Sequence, residues 1–270
     1  MFDRYPPKSV VVGVDGSAAA IRAARWAVDE VAGTDIPLRL LYVTQRDVDA
    51  SPRQARLAVA AAEHVVRDAY EAVEQVGKPV KVETEILDGE PVAALIAASR
   101  STTLLCVGDT GASMRPTIWL GSTAKELAQS GHCSVAVVRA STSDADTTDT
   151  RSIVAFVDES PDGMDVLELA IHEARHRGVP LRVLTSTQSR SGDSHLKRCT
   201  DNYPEVEFDT VHLQASLVDY LAVHAEAIQL IVVGAAQTAA IEQLLGAPGA
   251  EALRESDLSL LVVGFKRPGR

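Results

Sequence analysis

Between Gly108 and Leu127 the chain reads GDTGASMRPTIWLGSTAKEL. Gly108 and Gly111 stand three apart, nine residues follow, and Gly121-Ser122-Thr123 closes the stretch. Glycine lets backbone N–H groups approach a ligand with no Cβ in the way. Ser122 and Thr123 open a helical segment whose first N–H groups have no partner within their own helix, and two hydroxyls stand beside those donors. The chemistry that suits this set is the binding of an anion such as phosphate. Thr123 and Glu126 also fit a capping box, which would explain the helix start alone. It would not explain glycines ten residues upstream, so the stretch is read as a phosphate or nucleotide loop.

Other residues could join it. Asp15, in Asp15-Gly16-Ser17, follows an apolar run and is either a ligand contact or part of an ordinary strand-to-helix turn. Asp109 is a candidate for a Mg²⁺ ion carried by phosphates, or a plain exposed loop carboxylate. Arg115 is a candidate phosphate contact, and Trp119 is expected to pack under the loop instead of stacking on a base. His172-Glu173-Ala174-Arg175-His176 is a literal H-E-x-x-H, the helix motif of zinc proteases. Leu167, Ala170, Ile171 and Ala174 supply the apolar stripe of that helix, which puts the histidines at its edge, and no third ligand is near in sequence. His195 and His212 lie in unlike contexts and suggest no site. We therefore expect no metal centre there. No Walker lysine follows the glycines, no Gly-x-Ser-x-Gly elbow is present, and no base is evident to activate water on a phosphate. Binding is favoured over turnover, and no catalytic residue is assigned.

The elements that must hold these residues alternate. Ser9–Val14 is a β-branched strand, followed by a helix with Ala20, Ala24, Ala27, Val28 and Val31 on one face. Strands at Pro37–Val43, Val80–Leu87, Leu104–Val107 and Ser134–Val138 follow. They are separated by a long helix carrying Ala58, Ala62, Val65, Val66, Ala69, Val73 and Val76 and closed by Gly77, by a helix over Pro91–Ser99, and by the Ser122–Ser130 helix. Such alternation predicts an α/β fold, an open parallel sheet covered on both faces. Residues 141–150, STSDADTTDT, read as a linker, and beyond it the pattern restarts. SIVAFVDES at 152–160 echoes SVVVGVDGS at 9–17, PLRVL at 180–184 echoes PLRLL at 37–41, and LIVVGAAQ at 230–237 echoes LLCVGDTG at 104–111. Two tandem copies result, 1–140 and 151–270. The second departs from the first at its loop. Gln237 stands for Gly111, Ala247-Pro248 for Ser122-Thr123, and only Gly234 and Gly246 remain. Ser186–Pro204 has no sustained apolar period, so the long second helix is expected to be shortened or lost.

The complete G-x2-G-x9-G-[ST] pattern after a buried strand, together with the tandem repeat, resembles the ATP-binding motif and architecture of the universal stress protein family. The resemblance covers nearly the whole chain. It implies two tandem five-stranded parallel sheets of Rossmann-like, adenine nucleotide alpha hydrolase-like form with strand order 3-2-1-4-5. It also implies an ATP, with or without Mg²⁺, with adenine near Asp15 and the backbone of Val43. Ribose and phosphates would then follow Gly108, Gly111, Gly121, Ser122 and Thr123. The family further implies pairing of the copies through their last strands, Ser134–Val138 and Ser259–Val263, and leaves a homodimer open.

Composition sets the outer bounds. A chain of 270 residues, 46% hydrophobic and 23% charged, is a globular chain of two-domain length. A formal net charge of -11 disfavours nucleic acid as a partner. Cys106, Cys133 and Cys199 have no metal spacing and are read as thiols of a reducing compartment. No signal-peptide form and no membrane-spanning apolar run is evident, so a cytoplasmic location is expected. Three functional classes follow: an ATP-binding regulator in stress response, an interaction protein with a structural or vestigial site, and a slow ATPase. The protein partner is not legible.

Overall fold

A computed structural model of the chain describes residues 9–45, 51–111, 120–139, 149–186 and 202–264. Its contacts divide the described residues into two compact units, one ending at Arg139 and the other beginning beyond it. Arg115, Trp119, His195, Cys199 and nearly all of the expected linker lie outside the described residues, as does most of Ser186–Pro204.

In the first unit the run VVVGV forms β1 (Val10–Val14), and Ser17 turns the chain into α1 (Ala18–Val31) by accepting the N–H of Ala20 at 3.0 Å. The buried residues of α1 are Ala19, Ala20, Ala23, Ala24, Ala27, Val28 and Val31, a stripe of small side chains that brings the helix close to the sheet. β2 (Leu38–Thr44) and α2 (Pro52–Glu74) follow, the latter opened by a Ser51–Gln54 capping box with Pro52 at its first turn. Only the second half of α2 is buried, through Ala62, Val66, Ala69, Ala72 and Val73. Ala58 is exposed and Val65 and Val76 are half-buried, so the apolar stripe expected from the sequence begins about one turn late. The remaining elements are β3 (Val82–Asp88), α3 (Pro91–Ala98), β4 (Leu104–Gly108), α4 (Ser122–Ser130) and β5 (Ser134–Val138).

The strands run β3-β2-β1-β4-β5, all neighbours parallel, with Val10 opposite both Leu38 and Leu104. α1 and α2 pack together, as do α3 and α4, and the two pairs cover the two faces. Because the order reverses between β1 and β4, the connections leaving these strands diverge and open a crevice at their carboxyl ends.

The second unit repeats the plan with β6 (Ser152–Val157), α5 (Gly163–Arg177), β7 (Leu181–Ser186), β8 (Phe208–Leu213), α6 (Leu217–His224) and β9 (Ile228–Gly234). Two short helices, α7 (Thr238–Leu245) and α8 (Ala247–Ala252), then lead to β10 (Ser259–Val263). Its order is β8-β7-β6-β9-β10, again parallel. α7 lies within the stretch that the sequence suggested was only a decayed loop.

Candidate functional site

The crevice of the first unit has a volume of about 500 Å³. Asp15, Val43, Gly108, Asp109, Gly111, Gly121, Ser122 and Thr123 all line it, so residues spread over more than a hundred positions of sequence converge on one space. Each is placed by a strand end or a helix start. Asp15 directly follows β1, and its Oδ1 accepts the N–H of Ser17 at 2.9 Å, the ordinary turn bond. A Cβ built on Gly111 would lie 3.1 Å from the other oxygen, Oδ2. The carboxylate therefore faces the glycine loop as well as making the turn. Ser17, which sequence reasoning did not single out, holds the two parts together: its Oγ donates to the Thr110 carbonyl at 3.4 Å. Its cap position in the Asp-Gly-Ser turn was the available signal.

The two upstream glycines have different reasons to be glycine. A Cβ on Gly108 would come 2.6 Å from Ala19, so the close approach of α1 to β4 requires its absence. At Gly111 the only described neighbour that a Cβ would meet is Asp15 on the crevice side. Gly121 donates its N–H to the Asp109 carbonyl at 2.7 Å, which folds the end of the loop back on its start. It also serves as the N-cap of α4. No side chain caps this helix, so the capping box expected between Thr123 and Glu126 is not formed: both residues already lie inside the helix. The N–H groups of Thr110, Gly111, Ser122 and Thr123 make no hydrogen bond to a described residue. They leave a set of donors at a helix N-terminus beside two hydroxyls, with the electrostatic character that favours an anion.

Asp109 is not an exposed loop carboxylate. It is 7% exposed, and its oxygens face Arg22 at 3.5 Å and Arg139 at 3.7 Å. To coordinate Mg²⁺ it would have to turn away from two guanidinium groups. Among the described residues lining the crevice there is no lysine, arginine or histidine.

In the second unit the corresponding crevice, about 440 Å³, is lined by Phe156, Asp158, Ser186, Ser216 and Gln237, with further residues of α6 and α7. Gln237 is 4% exposed. Its Oε1 accepts the Gly234 N–H at 2.9 Å, and its Nε2 donates to the Phe156 carbonyl at 2.9 Å and to Asp158 Oδ1 at 2.8 Å. The side chain thus occupies the space that Gly111 leaves open in the first unit.

The H-E-x-x-H segment lies on α5, and its parts separate. His172 is 66% exposed and stacks on His176 with ring centroids 6.4 Å apart. Glu173 is 1% exposed and accepts from Arg177 Nη2 at 3.0 Å. The Glu173 carboxylate, 4.0 Å from His172 Nδ1, is the main cause that raises the His172 pKa, with burial acting against it. Glu173 is thus turned into the unit, and no group of three or more potential metal ligands forms among the described residues. Burial pushes the Cys133 thiol up to about 12, and Cys106 is buried beside the same strands. No helix among the described residues is long and apolar enough to cross a membrane.

The family model of the universal stress protein family matches residues 7–139, the first unit. Over the whole length, universal stress protein Rv2028c of Mycobacterium tuberculosis is 41% identical across 98% of this chain and 99% of its own. A second protein of that organism, universal stress protein Rv3134c, is 40% identical across 94% and 97%. Among solved structures, a universal stress protein from Archaeoglobus fulgidus superposes with a TM-score of 0.73 at 18% identity, covering 97% of both chains, which supports the fold. With a sheet order of 3-2-1-4-5 in each unit and relatives similar from end to end, this chain belongs to the universal stress protein family.

Proposed function

We propose that the chain is an ATP-binding regulator that holds one nucleotide in the crevice of its first unit and acts through occupancy, not turnover. The observation that carries this reading is the set of four N–H donors, at Thr110, Gly111, Ser122 and Thr123, that no described residue takes. They line a crevice that Asp15 and Val43 also line. The residues fit the group. Phosphates are suited to the helix start and hydroxyls, and a base and ribose to the apolar and carboxylate side that Leu41, Val43 and Asp15 present. Arg115 remains a proposed phosphate contact. Fast phosphoryl transfer ordinarily uses a lysine, a held metal and a positioned base. The described lining supplies no lysine, and its second carboxylate, Asp109, is engaged by Arg22 and Arg139. Occupancy is then the signal, because a ligand shifts an equilibrium only by its differential affinity for the two states.

Calorimetry of the full chain with ATP should give a stoichiometry near one, and mass spectrometry of material released on denaturation should identify adenine nucleotide. Absence of both would favour an interaction protein with a vestigial site. Steady-state phosphate release at a rate typical of kinases would overturn the regulatory reading in favour of an enzyme.

A further inference from the structure

The glycine loop of the second unit has its donors already in use. Ala235 donates its N–H to Val263 at 3.0 Å, as Asp109 does to Val138 at 3.1 Å in the first unit. After that the two loops part. The Ala236 N–H is taken by Asp162 Oδ2 at 2.7 Å and the Gln237 N–H by the Gly234 carbonyl at 3.0 Å. The matching N–H groups of Thr110 and Gly111 go to no described residue. Asp162 stands where the first copy has Ala19, by alignment of SPD at 160–162 with SAA at 17–19. It is 1% exposed and lies against the backbone of Gly234, where a Cβ would collide with its carboxyl group. Its other oxygen accepts from Ser160 Oγ at 2.8 Å.

An aspartate at a helix N-cap has an ordinary explanation, but it does not apply here. Asp162 occupies the N-cap position of α5 and makes no side-chain capping bond to it. Its carboxylate is directed at the loop instead.

We propose that the second unit carries its own anion: the Asp162 carboxylate takes the loop donor that the first unit keeps for a phosphate, and Gln237 closes the crevice over Asp158. This rests on the reading of the first loop as an anion site. A buried carboxylate hydrogen-bonded to a loop N–H is a charge-assisted contact of the kind a phosphate would make. A second anion would have to displace it against like charge. The second loop is therefore held formed at any nucleotide concentration, and only the first unit responds. The glycine that survives at 234 does so to admit Asp162 and the start of α5, not a ligand.

The test is hydrogen exchange of the full chain, read in the peptide spanning residues 234–246. In Asp162→Ala, exchange there should rise about 10-fold or more, the loss expected for one bond to a charged group. Inorganic phosphate, compared with chloride at matched ionic strength, should restore the protection. Wild type and Asp162→Asn, whose carboxamide fills the same space and still offers an oxygen, should be indifferent to phosphate. Failure of phosphate to protect Asp162→Ala would overturn the proposal. Should that variant not fold, the transplant decides. Ala19→Asp is expected to weaken ATP at the first unit about 10- to 100-fold, with Ala19→Ser within a few-fold of wild type. Unchanged ATP affinity in Ala19→Asp would equally overturn it. If the wild-type chain binds no ATP, the functional reading fails on its own while the phosphate arm still decides this one. A first loop blind to both ATP and phosphate takes this proposal with it.

Discussion

Replacing Gly111 by glutamine copies into the first unit the side chain that fills the second. The backbone tolerates it, because Gly111 is not among the glycines with positive φ. Among the described residues a Cβ there meets only Asp15 Oδ2, at 3.1 Å. In the second unit the same side chain makes three hydrogen bonds, to Gly234, Phe156 and Asp158, whose counterparts are Gly108, Gly13 and Asp15. The introduced glutamine should adopt the same bonds. It would then lie across the crevice, remove Asp15 from contact with a ligand and block the approach over the loop backbone.

Two lost contacts to a charged ligand, each about 1.5–3 kcal/mol, give about 3–6 kcal/mol, or about 10²- to 10⁴-fold in affinity. Folding should change little. Three new bonds of about 0.5–1.5 kcal/mol each are offset by about 1.5–2 kcal/mol of glutamine side-chain entropy. Titration calorimetry with ATP, beside a thermal melt of the ligand-free chain, separates the two effects. ATP affinity within ten-fold of wild type in a normally folded Gly111→Gln variant would refute the argument that this position is the open door of the site.

Asp109→Asn should lower stability, because it leaves Arg22 and Arg139 facing a neutral group, and it should leave the Mg²⁺ dependence of ATP binding unchanged; calorimetry with and without Mg²⁺ checks this. Replacing both His172 and His176 by alanine should keep the ATP stoichiometry and shift stability by less than about 0.5 kcal/mol, as surface changes do. Glu173→Gln, by contrast, should cost about 3 kcal/mol in urea unfolding, since it breaks a buried pair with Arg177. Stoichiometric zinc that disappears in the double histidine variant would show a metal centre after all. The raised pKa of His172 means that its stabilising contact with Glu173 is fully present below the unfolded value near 6.5. It is lost as pH rises through the folded value, so the wild-type minus His172→Ala stability difference should shrink from pH 6 toward pH 8, by an amount that surface exposure keeps small. Cys106 and Cys133 should resist iodoacetamide in the native chain at neutral pH and react once it is unfolded, read by peptide mass mapping; burial holds Cys133 as a thiol, with a pKa of about 12.

Periodicity made the fold legible because each element has one job. The alanine stripe of α1 and the apolar runs of β1, β4 and β5 are buried as the sequence suggests, since close helix-on-sheet packing leaves such residues nowhere else to go. Where the sequence misled, a local rule was outweighed by tertiary structure. Thr123 and Glu126 have the spacing of a cap, but the chain enters the helix earlier, at Gly121, because the Gly121 N–H is held by the Asp109 carbonyl. Ala58, at the start of α2, continues the apolar stripe yet stays exposed. Asp109 looked like a loop carboxylate because its partners, Arg22 and Arg139, are distant in sequence and nothing local announces them.

The candidate site shows a deeper limit of motif reading. A glycine in a phosphate-loop pattern is read as room for a ligand, yet Gly108 and Gly234 are both glycine because a helix start crosses them, at Ala19 and at Asp162. The pattern therefore survives in a copy whose loop N–H groups are already satisfied from within. What distinguishes the copies is two side chains, Asp162 and Gln237. At the positions of Thr110 and Gly111, whose N–H groups no described residue takes, Asp162 accepts the Ala236 N–H and the Gly234 carbonyl accepts the Gln237 N–H, while the Gln237 side chain fills the crevice. Gln237 was visible as a missing glycine. Asp162 was not, because aspartate at the start of a helix is what an ordinary cap looks like. Only its carboxylate's direction, toward Ala236 and away from its own helix, marks it as part of the site.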